Sequence, residues 1–504
     1  MLKNIRIFVS LLIFTLITLF FLDFAGYLPM WLHKLAAIQF FPALLALNIG
    51  VLAGLLLLTF LFGRVYCSSV CPMGVYQDIV NWLSRRLQKK KRFKYRKALT
   101  VLRWSVVGAA VVAFLFGFTF LVGLLDPYSA FGRMTVHVFK PAYLAGNNLL
   151  EAIFTGFGNN TFYKVGVYVT SVSSLVVALI TLLGVGYMAW DNGRIYCNTV
   201  CPVGTVLGAV SRYSVFKIRI DEGACNSCGS CGRQCKASCI DTKAHKIDYS
   251  RCINCFDCIE VCSQSAMKFS YSAKKPVAKP TETVDASKRR FMMAVGVTGL
   301  AATQIFADSK LIKSSKNKAK RETPISPPGS ASAESLLDKC TSCHLCVSKC
   351  PSNVIKPSFT EYGLGGIMQP MLSFEKGFCN YDCTVCSDVC PSGALLPLTV
   401  EQKQTNQMGQ VHFILENCIV YTDGTNCGAC SEHCPTQAVS MIAYKDDLTI
   451  PHTDTSICVG CGGCEYVCPA KPYKAIYVEG LEKHNQIIIK KEKVEEVKVD
   501  DFGF

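Results

Sequence analysis

Cysteine spacing is the clearest chemical signal in this chain of 504 residues. Two runs near its middle share the spacing C-x2-C-x2-C-x3-C: Cys225, Cys228, Cys231 and Cys235, then Cys252, Cys255, Cys258 and Cys262. Three thiolates at this spacing bind one 4Fe–4S cluster, while the fourth reaches a neighbouring cluster. Structural zinc prefers two separated cysteine pairs, so the spacing favours iron–sulfur clusters over zinc. We expect the spare cysteine of the first run, Cys239, to be a buried neutral thiol.

Four further cysteine runs follow residue 339, and each ends in Cys-Pro. They are Cys340, Cys343, Cys346 and Cys350; Cys379, Cys383, Cys386 and Cys390; Cys418, Cys427, Cys430 and Cys434; and Cys458, Cys461, Cys464 and Cys468. The six runs together predict six 4Fe–4S clusters, with these cysteines as the iron ligands. We expect His344, inside the first of the four runs, to tune a cluster by hydrogen bonding.

The composition separates this chain from several other classes of protein. A disulfide framework belongs to short secreted chains, so the 29 cysteines are better explained as ligands that receive iron in a reducing compartment. Hydrophobic residues make up 50 % of the chain and the mean hydropathy is +0.30, which indicates membrane insertion. The net charge of +16 does not indicate nucleic-acid binding, because no folded reading domain accompanies it.

A second cysteine pattern occurs twice in the hydrophobic first half. Residues 64–74 (RVYCSSVCPMG) match residues 194–204 (RIYCNTVCPVG). A parallel repeat implies a pseudo-two-fold axis along the membrane normal, which would bring the four thiols together at a further iron or iron–sulfur site. The candidate catalytic or metal-binding residues are Arg64, Cys67, Cys71, Arg194, Cys197 and Cys201. The alternative is that these thiols are small packing residues.

Apolar stretches must position these cysteines, and there are four: residues 7–22, 35–62, 99–125 and 165–190. Each approaches the roughly 20 residues that a spanning helix needs. Residues 85–97 carry nine Lys/Arg and no acid, whereas the loop 126–164 carries three basic residues. Because positively charged loops stay inside, we expect the N-terminus and the central cysteine runs to be cytoplasmic. The basic run itself is interpreted as attraction to anionic lipid headgroups.

These signals predict an α-helical membrane domain of four spans, a fifth span at 291–307, and two bacterial-ferredoxin-like α+β domains. The boundaries are 1–213 for the membrane domain, 214–270 for a cytoplasmic two-cluster ferredoxin, 271–339 for a linker, 340–480 for a four-cluster ferredoxin and 481–504 for a charged tail. In the linker, Lys288, Arg289 and Arg290 precede the apolar residues 291–307, as in a twin-arginine export signal. We expect this segment to span the membrane and the four-cluster domain to be periplasmic. The alternative is a surface helix with a cytoplasmic C-terminal domain.

The repeat of two spans plus C-x3-C-P, followed by a ferredoxin, resembles NapH, the membrane subunit of a quinol dehydrogenase that serves periplasmic nitrate reductase. The twin-arginine-like segment, the insert 362–377 and the four cysteine runs resemble its four-cluster partner NapG, so the chain resembles a NapH–NapG fusion. NosR and CcoG proteins share the repeat, but NosR carries a large domain before its spans and CcoG ends in a β-sandwich. The resemblance implies nested pairing of the four runs, so that Cys468 would complete the cluster of Cys340, Cys343 and Cys346.

The resemblance implies that a membrane quinol, such as menaquinol, is oxidised and that a periplasmic reductase or cytochrome accepts the electrons. The alternatives are a membrane metal reductase or assembly factor for a respiratory complex, and a redox-sensing regulator; six clusters favour conduction, because a sensor needs only one. No quinol motif is present, so the candidates are ionisable residues at the span ends. They are Asp23, His33, Asp126, Arg133 and His137 on the outer side, and Arg64, Asp78, Asp191 and Arg194 on the inner side. A lone histidine such as His137 is more often an interfacial hydrogen-bonding residue.

Overall fold

Helices form the first part of the chain. The computed structural model describes residues 1–88, 93–167, 169–271, 321–445 and 447–488, which belong to one unit. The longer helices are Leu2–Leu22, Ile49–Phe62, Pro72–Leu87, Thr100–Leu115, Lys140–Gly156, Val172–Asn192 and Pro202–Ser211. The shorter ones are Met30–His33, Lys34–Ala37, Phe40–Leu45, Val65–Ser69, Thr119–Leu125, Pro127–Met134, Thr135–Phe139 and Ile195–Thr199. The predicted export signal and the segment 291–307 lie outside the described residues.

Two of the described helices, Leu2–Leu22 and Val172–Asn192, are long and apolar enough to cross a membrane. Only 28 % and 22 % of their most apolar windows are buried inside the protein. Their apolar side chains therefore face outward, unlike those of a helix in the core of a soluble protein.

The two other predicted spans are each divided into shorter helices. The described residues therefore do not contain the four continuous spanning helices that the sequence predicts. Within 35–62, the side chain of Asn48 accepts a hydrogen bond from the backbone N–H three residues on (3.2 Å) and caps a new helix. Within 99–125, Gly117 has φ +77°, a left-handed conformation that commonly ends a helix. Both breaks depend on single residues. A mean hydropathy taken over a whole apolar stretch does not reveal them.

The two copies of the C-x3-C-P repeat have the same local structure. Each begins with a short helix, Val65–Ser69 or Ile195–Thr199, and continues after the Cys-Pro step as Pro72–Leu87 or Pro202–Ser211. The second cysteine of each copy is extended, with ψ 117° and 118°, and proline takes the first helical position. Proline suits this position because the N–H that it lacks would have no partner within the helix. The repeat is therefore one of structure as well as of sequence.

The central cysteine runs lie in a small α+β unit. Its antiparallel strand pairs are Phe216–Ile220 with Met267–Tyr271, and Ile240–Asp241 with Lys246–Ile247. Two short helices, Ser230–Gln234 and Asp257–Glu260, each carry the third cysteine of a run. Cysteines make up much of its core. Cluster binding would therefore contribute directly to the stability of this unit.

The C-terminal unit is also built from short elements. Its antiparallel strand pairs are Ile355–Pro357 with Pro370–Leu372, Asn406–Phe413 with Ile476–Gln486, and Val439–Ala443 with Thr449–Thr453. Its helices are Ala333–Lys339, Leu345–Lys349, Leu364–Gly366, Val385–Asp388, Val400–Thr405, Leu415–Asn417, Ile419–Thr422, Ala429–Glu432 and Gly463–Val467. Arg321 donates to the carbonyl oxygen of Val478 at 2.7 Å. The described part of this unit therefore begins before the predicted boundary at 340, and its last strand continues past 480.

The two ferredoxin units contact opposite ends of the helix Leu2–Leu22. At its start, Lys3 lies 3.8 Å from Asp257 of the central unit. At its end, the carbonyl oxygen of Phe21 accepts a hydrogen bond from Ser348 of the C-terminal unit. A helix of this length extends about 30 Å, which separates the two contacts by roughly the thickness of a bilayer core.

Candidate iron–sulfur sites

The central runs exchange their fourth cysteines, as the ferredoxin spacing predicts. Two cavities are each lined by thiols from both runs, the first by Cys225, Cys228, Cys231 and Cys262, the second by Cys252, Cys255, Cys258, Cys235 and Cys239. The Sγ atoms of Cys235 and Cys239 are 3.5 Å apart. Cys239 is buried as expected, but it lies beside the predicted ligand and faces the same cavity.

The C-terminal runs exchange cysteines between neighbours in sequence. Two cavities show this directly, one lined by Cys350, Cys379, Cys383 and Cys386, the other by Cys468, Cys418, Cys427 and Cys430. The nested pairing, in which Cys468 completes the cluster of the Cys340 run, is therefore wrong. The reason lies in packing: helix Leu345–Lys349 contacts Val385–Asp388, and Ala429–Glu432 contacts Gly463–Val467.

The remaining thiols form two complementary groups. Burial and then repulsion from neighbouring thiolates, among them Cys340, Cys343 and Cys390, raise the pKa of Cys346 well above its ordinary value. The same causes raise the pKa of Cys464, whose neighbours include Cys458, Cys461 and Cys434. The geometry thus contains six groups of thiols, each with at least four members. Thiols with raised pKa values must lose protons to bind iron, so cluster binding is coupled to proton release.

The surroundings of these thiols fit a 4Fe–4S cluster. In the first C-terminal group, the N–H of Ser342 points to the sulfur of Cys340 and the N–H of Leu395 to that of Cys390, both at 3.4 Å. Such N–H···S hydrogen bonds tune the reduction potential of a cluster. Among the described residues, no three Cys, His, Asp or Glu side chains are arranged to hold a single metal ion.

Left-handed backbone turns direct the thiols in four of the runs. The second cysteine of each lies between two residues of positive φ, which are Ser227 and Gly229, Asn254 and Phe256, Ser342 and His344, and Gly460 and Gly462. A residue with a side chain adopts this conformation at a cost of roughly 1–2 kcal/mol. The chain reverses on both sides of the cysteine, which allows three thiols of one run to face one centre. The two runs with longer first gaps do not have this pattern.

The two copies of the membrane-half repeat are joined by crossed arginines. Arg194 donates to the carbonyl oxygen of Cys67 at 2.7 Å, and Arg64 donates to that of Cys197 at 3.2 Å. Burial and then the neighbouring Cys197 raise the pKa of both Cys71 and Cys201, so all four cysteines of the repeat lie close together. The gathering expected from the repeat is present. The metal or redox role of these cysteines remains a prediction.

Glycine is required at the end of each repeat motif. A Cβ on Gly74 would lie 2.3 Å from the carbonyl oxygen of Cys67 and 2.5 Å from Arg194. A Cβ on Gly204 would lie 2.2 Å from the carbonyl oxygen of Cys197 and 2.8 Å from Arg64. These distances are shorter than any real van der Waals contact, so the crossed arginines depend on both glycines.

Asp78 links the repeat to the central ferredoxin. Its carboxylate is held by the Arg194 fork at 2.8 and 2.7 Å, by Arg6 at 3.1 Å and by Lys236 at 3.0 Å. Lys236 also lies 3.3 Å from Asp257, and Asp257 stands between two cysteines of the second central run in the sequence. Burial opposes ionisation of Asp78, but the cations outweigh it and hold its pKa well below the ordinary value. Lys236 follows Cys235 at the position where ferredoxins commonly have proline. This unusual residue is the feature of the sequence that points to the ion-pair network.

The first C-terminal run contacts the candidate residues predicted for the outer side. The Nε2 atom of His137 is 2.7 Å from Nδ1 of His344, and His344 Nε2 is 2.8 Å from the carbonyl oxygen of Met368. Burial and then Arg133 lower the pKa of His137 to about 4. His344 therefore joins the helical bundle to the cysteine run, and its ring nitrogens do not bond to a sulfur.

The other ionisable candidates separate into three sets. Arg133 donates to the carbonyl oxygen of Ser342 at 3.1 Å, and Asp23 accepts from Lys349 at 2.7 Å, so both contact the C-terminal unit. Asp126 instead caps the helix Pro127–Met134. Two others do not join any of these groups, since His33 bonds within its own turn and Asp191 bonds to its neighbour in sequence.

Lys403 is a buried cation that sequence reasoning missed. Its side chain is fully buried, and its Nζ has no hydrogen-bond partner among the described residues. Burial raises the pKa of the Cys379, Cys386 and Cys461 thiols, and Lys403 lies close enough to each of them to oppose that rise, which places the lysine between two thiol groups. No sequence pattern distinguishes this lysine from the solvated lysines of the chain.

Together, the small α+β units and the shared thiol cavities define an iron–sulfur protein of the polyferredoxin class. Family models agree: a 4Fe–4S binding domain matches residues 44–91 and 172–221, and 4Fe–4S dicluster domains match 248–354 and 424–472. The first match covers both copies of the C-x3-C-P repeat. The match at 248–354 joins two cysteine runs that lie in separate thiol groups in the structure.

Each of the following three relatives matches less than half of this chain. MauM of Methylobacillus flagellatus, a methylamine utilization ferredoxin-type protein, is 30 % identical over 38 % of this chain and 83 % of its own length. The ferredoxin-type protein NapH of Haemophilus influenzae is 28 % identical over 44 % of this chain and 67 % of its own length. YccM of Escherichia coli, whose name describes it as a putative electron transport protein, is 25 % identical over 47 % of this chain and 59 % of its own length. No solved structure matches. The chain belongs to the family of ferredoxin-type 4Fe–4S electron-transfer proteins.

Proposed function

We propose that this protein is embedded in a bacterial cytoplasmic membrane, oxidises a quinol such as menaquinol, and passes the electrons to an extracytoplasmic reductase. The observation that carries the proposal is the attachment of the two ferredoxin units to opposite ends of Leu2–Leu22. If this helix spans the bilayer, the central unit faces the cytoplasm and the C-terminal unit faces the periplasm. Periplasmic nitrate reductase is the acceptor that the likeness to NapH suggests.

Exposed apolar side chains support membrane insertion of the whole bundle. Large apolar residues are exposed on four different helices, including the two that are short or broken: Phe8, Leu57, Val111 and Ile180. Exposed apolar surface on this scale marks an interaction site on a soluble protein, and a lipid contact on a membrane protein. A bilayer would cover all four helices at once.

The cysteine groups support the proposed cofactors. Six 4Fe–4S clusters would occupy the six groups of thiols, and an additional iron–sulfur site would use Cys67, Cys71, Cys197 and Cys201. When bound, the clusters supply one-electron transfer, while the protein sets their positions and potentials. The buried Lys403 and the N–H groups directed at sulfur are the protein groups that set those potentials.

A turnover assay on the full-length chain in lipid nanodiscs tests the function. We expect oxidation of a menaquinol analogue coupled to reduction of a soluble one-electron acceptor, and loss of turnover in Cys343→Ser. A redox-sensing regulator would show no sustained turnover with an added acceptor. Iron-loaded wild-type protein that consumes no quinol would overturn the proposal.

A protease added to intact spheroplasts tests the arrangement across the membrane. We expect cleavage in the C-terminal unit and protection of the central unit. Replacement of Lys288, Arg289 and Arg290 by Gln should leave the C-terminal unit protected, because a twin-arginine signal is needed to export a domain whose clusters are already in place. A protected C-terminal unit in the wild type would place the acceptor in the cytoplasm.

A further inference from the structure

A cavity of about 550 Å³ lies between the helical bundle and the C-terminal unit. One wall comes from the segment that follows helix Leu2–Leu22, a second from the start of Lys140–Gly156, and a third from the end of Leu345–Lys349. Its volume falls in the range of roughly 300–1,000 Å³ that is typical of small-molecule sites. The thiol cavities have no comparable room.

The cavity shares a wall with a predicted cluster site. Cys350 and Pro351 line this cavity, and both also line the thiol cavity of Cys379, Cys383 and Cys386. A molecule bound in the larger space would therefore be separated from that cluster by little more than the side chain of a cluster ligand.

A few polar groups enter an otherwise apolar space. Lys140, held by Ser348 Oγ at 3.0 Å, lines the cavity, as does the buried ion pair between Asp23 and Lys349. Apolar lining residues include Phe24, Leu28, Val136 and Leu144. This combination of an apolar slot with a few oriented polar groups suits a flat aromatic ring with oxygen substituents.

A chain of hydrogen bonds leads away from the cavity. Thr170 lines the cavity and lies 3.3 Å from His137 Nδ1, and His137 Nε2 lies 2.7 Å from His344. The segment that follows helix Leu2–Leu22 also carries Tyr27 and, in the short helix Met30–His33, Trp31, which are 84 % and 60 % exposed. Exposed Tyr and Trp are characteristic of the membrane–water interface, where the headgroup of a lipid-soluble quinol resides.

We propose that this cavity binds the ring of the membrane quinol, an inference that rests on the proposed function and assigns its substrate site. Oxidation breaks the two O–H bonds of the quinol and releases two protons and two electrons as the quinone forms. The protons pass to the polar groups of the cavity and on to the outer aqueous phase. Oxidised 4Fe–4S clusters, the nearest of which Cys350, Cys379, Cys383 and Cys386 would hold, would accept the two electrons one at a time.

Binding of a fluorescent quinol analogue, 2-heptyl-4-hydroxyquinoline N-oxide, to the full-length protein in nanodiscs tests the site. Leu144→Trp fills the cavity, and Lys140→Met removes its ammonium group; we expect each to weaken binding at least tenfold. The matched control is Leu149→Trp on the same helix, where Leu149 is 63 % exposed and does not line the cavity. Iron content is measured in every variant, so that a folding defect is recognised independently of binding.

The outcomes separate the site from the function. Wild-type affinity in iron-loaded Leu144→Trp and Lys140→Met, with quinol turnover intact, would overturn the cavity assignment and leave the proposed function standing. A wild-type protein that neither binds the analogue nor oxidises quinol would overturn both. Weaker binding in the two cavity variants, with an unchanged control, supports the assignment.

Discussion

Lys236 and Asp78 form an ion pair of 3.0 Å that attaches the central ferredoxin to the helical bundle. Lys236 follows a predicted cluster ligand, and Asp78 also holds Arg194, which belongs to the C-x3-C-P repeat. One carboxylate therefore connects the surroundings of the central clusters with those of the four repeat cysteines. A substitution in the repeat should therefore alter the stability of the central ferredoxin unit.

Replacement of Asp78 by Asn should loosen this attachment. Loss of one partner from a buried ion-pair network costs roughly 3–5 kcal/mol, because the remaining charges stay buried without compensation. We expect faster amide exchange throughout residues 214–271, measured by mass spectrometry. The control is Asp221→Asn, which breaks an exposed pair with Lys268 at 3.2 Å and should change stability little, because solvent screens the pair. Equal exchange in the two variants would contradict this role of Asp78.

The same network should resist acid. The pKa of Asp78 is lowered in the folded protein, so its stabilising contribution is complete above the pKa of the unfolded carboxyl group and is lost only as the pH falls through the folded value. We expect the central unit to remain attached at pH 4, where exposed carboxylates are already partly protonated. Limited proteolysis across a pH series measures this, and release of the unit near pH 5 would contradict it.

Substitution of Gly204 by Ala should disrupt the crossed arginines. The added Cβ would meet the carbonyl oxygen of Cys197 at 2.2 Å, and overpacking of a filled core typically costs about 1–3 kcal/mol. Gly146→Ala is the control, because no atom lies within 4 Å of its added Cβ and alanine favours a helix. Thermal unfolding in detergent should show a lower midpoint for Gly204→Ala only.

Cysteine substitutions should reveal the ligand grouping. Cys468→Ser should remove the same cluster as Cys418→Ser, because both thiols line one cavity. Cys340→Ser should remove a different one. Electron paramagnetic resonance of the reduced protein, with iron analysis, distinguishes the signals. The six runs should contribute about 24 iron atoms in the wild type, and any iron at the four repeat cysteines adds to that number. Matching losses in Cys468→Ser and Cys340→Ser would restore the nested pairing.

Replacement of Lys403 by Met should lower the reduction potential of a neighbouring cluster. A buried cation stabilises the more negative, reduced state, so its removal should shift the potential downward by on the order of tens of millivolts. A potentiometric titration followed by paramagnetic resonance measures the shift. Lys471→Met, at an exposed lysine, serves as the control. An unchanged potential in Lys403→Met would exclude an electrostatic role for this lysine.

Cysteine spacing predicted which thiols of a run lie together, and in four of the runs left-handed turns bring them there. Their role as iron ligands stays a prediction. Spacing did not predict the partner of Cys468, since the fourth ligand depends on which short helices pack together. Hydropathy located the apolar stretches but missed the cap at Asn48 and the turn at Gly117, because both are single-residue effects. Neither the Asp78–Lys236 pair nor the position of Lys403 was predicted, for one shared reason. The contacts of each depend on neighbours that are distant in sequence.

One difference between the two repeat copies affects their symmetry: Asp78 in the first copy corresponds to Gly208 in the second. Asp78 neutralises Arg194, whereas a Cβ on Gly208 would lie 2.4 Å from the carbonyl oxygen of Ser250 in the central ferredoxin. A homodimer of identical halves would carry aspartate twice and exclude the ferredoxin, or glycine twice and leave the arginine without an anion. Two similar but non-identical copies within one chain thus permit a nearly symmetric pair of motifs to carry a single ferredoxin.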